Sequence, residues 1–506
     1  MTDNSLPQHS PAMRAALDWL AVPSGEDVLE DIIPLRLHLR GVVDTGLMPL
    51  HLLKVLELIE VRAKAVTEVA HSLLLDATVP VPKRLRSIAQ ALGEIHGLLA
   101  QAYLQIVNNA EIAQLARPRR NAPLLCANGL EHALQQLEIS LLVSSGSPQD
   151  LWSTSQALFH RAHEPSSFED TLPGDPAVVD LPFKRMLALI SAQPETFTPR
   201  EVVFLRRAIA ETAGTVDLSY AVPPTPAHDW YWLEPGRDMA PVPFVRRLPA
   251  GSHTLLFHSC AALGRQIEEL LAQLDANIAP SALGLPDEAA QTDFRNVLRR
   301  AAENWITPPK RQHHRRHQPY RVEVCANIGR LWQVLHGDQD SASSTAQIGS
   351  DWMVINESPS GLAMMHVSGE VTGILPGSAV GLRIKPDEAW SVCLVRWARS
   401  DNPEHVELGL DLLAPETHPV RILAQPTNGG TVPEPVPALL LPSLPHLARG
   451  EALLTPRGGY VEGKFALVDD AMNRVGVVTC VSTSLDLQTS SIEVFQFQRD
   501  NTPSWR

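Results

Sequence analysis

The feature that most restricts how this chain can fold is a change of texture at Thr307-Pro308-Pro309. Before it, apolar residues recur every three or four positions over long stretches, which is the period of a helix face. After it, the segments are short, rich in Val and Ile, and separated by Gly, Pro, Asn and Asp, the punctuation of strands and turns. Two periods in separate blocks predict an α+β multidomain protein. Its 506 residues exceed one ordinary core, and about one domain per 150 residues gives roughly three.

The first block, 1–305, is expected to be α-helical. Leu52, Val55, Leu56, Ile59, Ala63 and Val66 make one face of an amphipathic helix, with Glu60 and Lys64 as an i,i+4 pair opposite. Further helices are predicted near 86–109, 126–144, 149–162, 200–213, 258–275 and 291–305. Thr198, Pro199 and Glu201 carry the capping signature of a helix start. An internal division is expected near 215–255, where prolines and Asp229-Trp230-Tyr231-Trp232 interrupt the pattern. These aromatics read as a loop pinned to the bundle, with a partner surface as the alternative.

The second block yields strands at Arg321–Ala326, Leu331–Leu335, Trp352–Asn356, Gly361–Val367, Ala379–Ile384, Trp390–Ala398 and Val406–Leu412, enough to close a small barrel of six to seven strands over 306–424. The stretch Gln425 to Pro437, with four prolines and Gly429-Gly430, reads as an extended linker. Beyond it, 438–506 reads as a small C-terminal β domain.

A net charge of -14 argues against a surface that coats nucleic acid or an anionic membrane, so any phosphate contact must be local. The cysteines Cys126, Cys260, Cys325, Cys393 and Cys480 are not spaced for zinc or a redox dithiol. No leader pattern or bilayer-length apolar run is legible, and a cytoplasmic location is expected. Phosphate-binding loops, nucleophile elbows and His-Glu-x-x-His are missing, so the expectation is a protein that is not an enzyme, with no cofactor or metal.

Against this acidic background stands a local run of cations, Lys310, Arg311, Arg315, Arg316 and Arg321, with no acid among them. Arginine forks can donate two hydrogen bonds to a phosphate or to the acceptor edge of guanine. A solvated linker and a nucleic-acid-binding arm are the competing readings. His313, His314 and His317 lack partners at metal-ligand spacing.

Farther on, Asn356-Glu-Ser358-Pro-Ser-Gly361 sits at a strand end. Asn356 and Ser358 alternate with Glu357, so their side chains share a face and offer a donor, acceptors and a hydroxyl to a base edge. Gly361 would let a flat ligand approach the backbone. An ordinary turn uses the same residues.

A basic arm entering a β-barrel, followed by Asn-x-Ser-x-x-Gly at the end of an early strand, resembles the PilZ domain, a bacterial receptor module for cyclic di-GMP. Trp390-Ser-Val-Cys-Leu-Val-Arg396-Trp397 and Val406-Glu-Leu-Gly409-Leu-Asp-Leu are similar to that family's closing strands. The resemblance covers about 310–424. It implies that Asn356, Ser358 and Gly361 hold one guanine while arm arginines hold a phosphate and a second guanine. Family arms carry two arginines with three residues between them. Arg311 and Arg315 have that spacing but lie early; the register against the strand is His317 and Arg321, with Arg316 one residue away.

The function implied is a cyclic di-GMP receptor or adaptor whose helical half is reoriented toward a protein partner. The alternatives are an interaction scaffold with a barrel that binds no nucleotide, and nucleic-acid binding through the arm.

Overall fold

The computed structural model describes residues 10–25, 27–46, 48–109, 122–164, 176–224, 227–247, 255–308, 310, 315–337, 349–359, 361–371, 373–402, 405–425, 434–444, 449–469 and 476–500. The chain divides into two compact units, one formed by Met1–Ala77, Val81–Pro194 and Pro199–Arg311, the other by Thr78–Pro80, Glu195–Thr198 and Gln312–Arg506.

The first unit is built from α1 (Pro11–Leu20), α2 (Ile32–Asp44), α3 (Pro49–Leu74), α4 (Lys83–Val107), α5 (Ala122–Leu142), α6 (Leu151–His163), α7 (Pro176–Ser191), α8 (Pro199–Ala208), α9 (Ala261–Asp275) and α10 (Thr292–Ile306). The apolar face expected on α3 is buried, from Leu52 through Ile59 and Val66 to Leu74. Helix α5 is buried over most of its surface, as a central helix must be, and even Glu138 and Ser140 lie inside. Around it pack α4, α6 and α7. The pattern had not indicated α7, because Pro182 falls within it, yet Phe183, Met186, Leu187 and Leu189 are buried along its length.

Two expectations for this half are corrected. Glu60 turns to neighbouring helices: its Oε1 accepts from Tyr103 Oη and, at 3.1 Å, from His132 Nε2. The Asp229–Trp232 stretch is not a loop. Its aromatics form β2 (Trp230–Leu233) in a sheet with β1 (Asp217–Ser219), β3 (Val242–Pro243) and β4 (Leu256–Ser259), in the order β1-β4-β2-β3. Aromatics suit a half-buried pleated surface. Tyr231 pairs with and stacks on His258, and Trp232 Nε1 donates to Arg247 O at 2.9 Å.

The second unit holds two barrels. The first closes β5 (Tyr320–Cys325), β6 (Ser350–Ser358), β7 (Gly361–Ser368), β8 (Ala379–Arg383), β9 (Ser391–Asn402) and β10 (His405–Ala414) in the order β10-β7-β6-β5-β8-β9. Val322, Val324, Trp352, Val354, Met364, Val395 and Leu408 fill it. Val79 also contributes, pairing its backbone with Ile374.

Leu331–Leu335, expected as a strand, is part of α11 (Ile328–His336). The Asn327 side chain caps it by accepting from Gly329 N and Arg330 N, Gly337 ends it at φ +82°, and Ile328, Leu331, Trp332 and Leu335 follow the helical i, i+3, i+4, i+7 spacing.

The second barrel closes β11 (His418–Ala424), β12 (Val436–Leu441), β13 (Ala452–Pro456), β14 (Lys464–Asp469), β15 (Gly476–Gln488) and β16 (Ile492–Arg499) in the order β11-β12-β13-β16-β15-β14. Strand β11 lies inside the span expected for the first barrel, yet it pairs with β12 and β14 of the second. Its apolar side chains Val420 and Ile422 belong to the second core. The two barrels share a seam in which α11 is wedged. Leu331, Trp332, Trp390, Leu439, Leu454 and Val494 make one cluster there, Trp332 Nε1 donates to Val420 O at 2.9 Å, and Arg421 lies over the Trp332 ring.

Candidate functional site

Strand register explains where the candidate residues lie. On β6, Trp352 and Val354 point into the barrel, and a bulge between Val354 and Asn356 then shifts the alternation by one. Asn356 is therefore opposite Ala363 and Ser358 opposite Gly361, both on the outer face, while Glu357 opposes Leu362 on the core side. Without the bulge the pair would face inward.

Across the sheet the rows continue. Ala363 pairs with Gly409 and Gly409 with Trp397; Gly361 pairs with Asp411. A second irregularity between Gly409 and Leu410 leaves Arg396 as the extra residue of β9, and its Nε reaches Asp411 at 3.1 Å. A Cβ at Gly409 would lie 1.8 Å from Trp397 Nε1, so the indole rests on the bare backbone of β10. Asn356, Ser358, Trp397, Arg396 and Asp411 thus share one surface.

The arm meets this surface at a defined place. Arg316 and Glu357 exchange backbone hydrogen bonds, N to O at 2.8 Å and 3.0 Å, which lays the arm along the end of β6. Arg315 Nη1 donates to Asn356 Oδ1 at 3.0 Å. By strand alternation Arg316 falls on the face of Glu357, away from the Asn356 surface. Tyr320 Oη donates to Glu357 at 2.8 Å, and burial together with that carboxylate pushes the Tyr320 phenol up to about 12. Arg321 is exposed on β5, opposite Met353 in the neighbouring outer row. Arg311, His313 and His314 lie outside the described residues.

Ser358 Oγ donates to Gly361 O at 3.0 Å, so part of its capacity is spent on the turn. A Cβ at Gly361 would lie 2.2 Å from Leu410 O, so the glycine is required by the close approach of β10. Asp411 was not anticipated. Burial holds its carboxyl above the ordinary carboxylate value, while Arg396 and Arg315 pull the other way. Arg396 and Trp397 were also missed as site residues. The legible signal was a glycine in a strand whose partner strand carries a tryptophan.

Chemically, the surface offers an aromatic platform, guanidinium forks from Arg315, Arg396 and Arg321, and the amide and hydroxyl of Asn356 and Ser358. Among the described residues no group of His, Cys, Asp or Glu is placed to hold a metal ion, and no helix is long and apolar enough to cross a membrane.

Most of the first barrel lies within a stretch that is similar to the PilZ domain, so the chain contains a PilZ-like barrel. The family model of the N-terminal domain of the cyclic-di-GMP receptor FimW matches residues 14–225, and that of its middle PilZ domain matches residues 333–419. The chain is related to FimW. Over 111 residues it is 30 % identical to the cyclic-di-GMP receptor FimW of Pseudomonas aeruginosa, a match that covers 22 % of this chain and 18 % of that relative's length. The arm and β5 lie outside the matched PilZ range. No solved structure matches.

Proposed function

We propose that the chain is a bacterial cyclic di-GMP receptor or adaptor without catalytic activity, and that the nucleotide binds on the outer face of the first barrel. The observation that carries this reading is the Arg315–Asn356 contact, which joins the arm to the Asn-x-Ser turn beside the Trp397 ring. On binding, Arg315 and Arg321 turn to phosphate and guanine, Asn356 and Ser358 read a base edge, and Trp397 stacks on a base. The arm's changed contacts then bias the helical half toward a protein partner. A ligand biases two arrangements only through its differential affinity, which the arm's exchange of Asn356 for ligand supplies.

Titration calorimetry with cyclic di-GMP tests this. Saturable binding is expected, weakened at least about tenfold by Arg315→Ala or Ser358→Ala and little by Arg316→Ala. The absence of heat at high micromolar ligand with the folded chain would favour the scaffold reading, in which the barrel serves only as structure. Retention of nucleic acid with steep loss on added salt would favour binding through the arm.

A further inference from the structure

Helix α3 is apolar on two faces. Leu52, Leu56, Ile59 and Val66 are buried on the first. On the second, Leu50, Leu58, Val61, Ala65, Val69 and Leu73 follow one another at steps of three or four, with Lys54 filling the one gap. All are exposed, Val61 by 72 %. A helix with apolar residues on opposed faces is ordinarily packed from both sides. Here the outer stripe runs along a helix of 26 residues, about 39 Å in length. Leu17, Leu20 and Ala21 of α1 border its middle and, with Leu58 and Val61, form a groove of about 530 Å³. Apolar surface of this extent marks an interaction site.

The charges beside the stripe indicate what covers it. Lys54, Glu57, Lys64 and Glu68 are exposed along it. A second copy of α3 laid parallel would set each of them against its own like, which is repulsive. Laid antiparallel about a two-fold axis at Val61, Lys54 falls opposite Glu68 of the second copy, and Lys64 comes within one residue of Glu57. In the same register Leu58 comes within one residue of Ala65, and Leu50 within one residue of Leu73. The surface is therefore its own complement, in charge and in apolar contact, and each pair occurs twice, as an isologous interface requires.

We propose that α3 is the interface of an antiparallel dimer of this chain, with the two Val61 side chains meeting on the two-fold axis. The surface lies within the helical unit and does not rest on the nucleotide reading of the barrel.

Sedimentation velocity on the full chain between about 1 and 100 µM tests this, with a dimer expected at about 10 µM or below. Val61→Glu sets two carboxylates against each other on the axis and should leave a monomer at about 100 µM. Circular dichroism should stay that of the parent, because the position is exposed. Lys54→Glu should weaken the dimer about tenfold, and adding Glu68→Lys should restore it, since the exchanged charges again meet their opposites. If Val61→Glu does not fold, this exchange decides. The proposal is overturned if the parent is a monomer at about 100 µM, if folded Val61→Glu dimerises as the parent does, or if the exchange fails to restore what Lys54→Glu lost.

Discussion

The Trp397 ring owes its position to the absence of a side chain at residue 409, and Gly409→Ala puts that dependence to measurement. The added Cβ would lie 1.8 Å from Nε1, 2.2 Å from Cε2 and 2.5 Å from Cδ1 of Trp397. Carbon needs about 3.5 Å from such atoms, so the ring must lift by roughly 1.7 Å or swing away. The methyl cannot give way, because it is fixed to the paired backbone of β10. Overpacking of this kind costs about 1–3 kcal/mol, and the half-buried ring places the cost near the lower end, about 1 kcal/mol. Stacking of a base on an aromatic is worth about 1–3 kcal/mol, so displacement of the platform should weaken cyclic di-GMP binding about tenfold. The assay is a double-mutant cycle of Gly409→Ala, Trp397→Ala and their combination, read by urea unfolding and by calorimetry. Once Trp397 is alanine the methyl meets no ring, so Gly409→Ala should then cost almost nothing, giving a coupling of about 1 kcal/mol. Additive losses, in stability or in affinity, would refute the reasoning.

Two further outcomes are expected. Gly361→Ala should destabilise the barrel by about 1–3 kcal/mol in urea unfolding, because its Cβ would meet the Leu410 carbonyl at 2.2 Å; an unchanged midpoint would show that β10 yields freely. The helical unit should lose stability in acid. Burial holds His258 down at about 3 against an ordinary 6.5, and His96 is shifted the same way by burial, His132 and Arg206. The folded state keeps these rings neutral while the unfolded chain takes up protons below 6.5. Stability is therefore intact above 6.5 and falls with pH through the window down to about 3, by about 1.4 kcal/mol per pH unit for His258. Thermal melts at neutral pH and near pH 5 read the slope, which His258→Gln should reduce; an equal slope in that variant would exclude His258 as a source.

Much of this architecture is legible in the pattern of residues, and the failures have physical causes. The buried face of α3 and the start of α8 at Pro199 follow from local chemistry. Helix α7 was hidden by Pro182, and α11 by its shortness, since a single apolar turn such as Leu331–Leu335 fits either period. The membership of β11 is decided by partners that lie after it in the chain. At the candidate site, Asn356 and Ser358 are legible because they are close in sequence. Arg396, Trp397 and Asp411 are not, because two bulges and the register of β7, β9 and β10 bring them alongside. Gly361 was recognised for a ligand's approach, whereas the nearest atom to its missing Cβ is a strand carbonyl.

The wedge of α11 between the barrels bears on what evolution or an engineer can transplant. A cut after residue 424 carries β11 away from the sheet it completes and opens the second barrel, while a cut before residue 418 strips Trp332 of its Val420 acceptor and uncovers the apolar seam. Neither barrel is a free cassette. The smallest piece that could be grafted onto another helical partner, or exchanged by recombination, is the pair with its shared helix, so sequence drift in the second barrel should be constrained by the needs of the first.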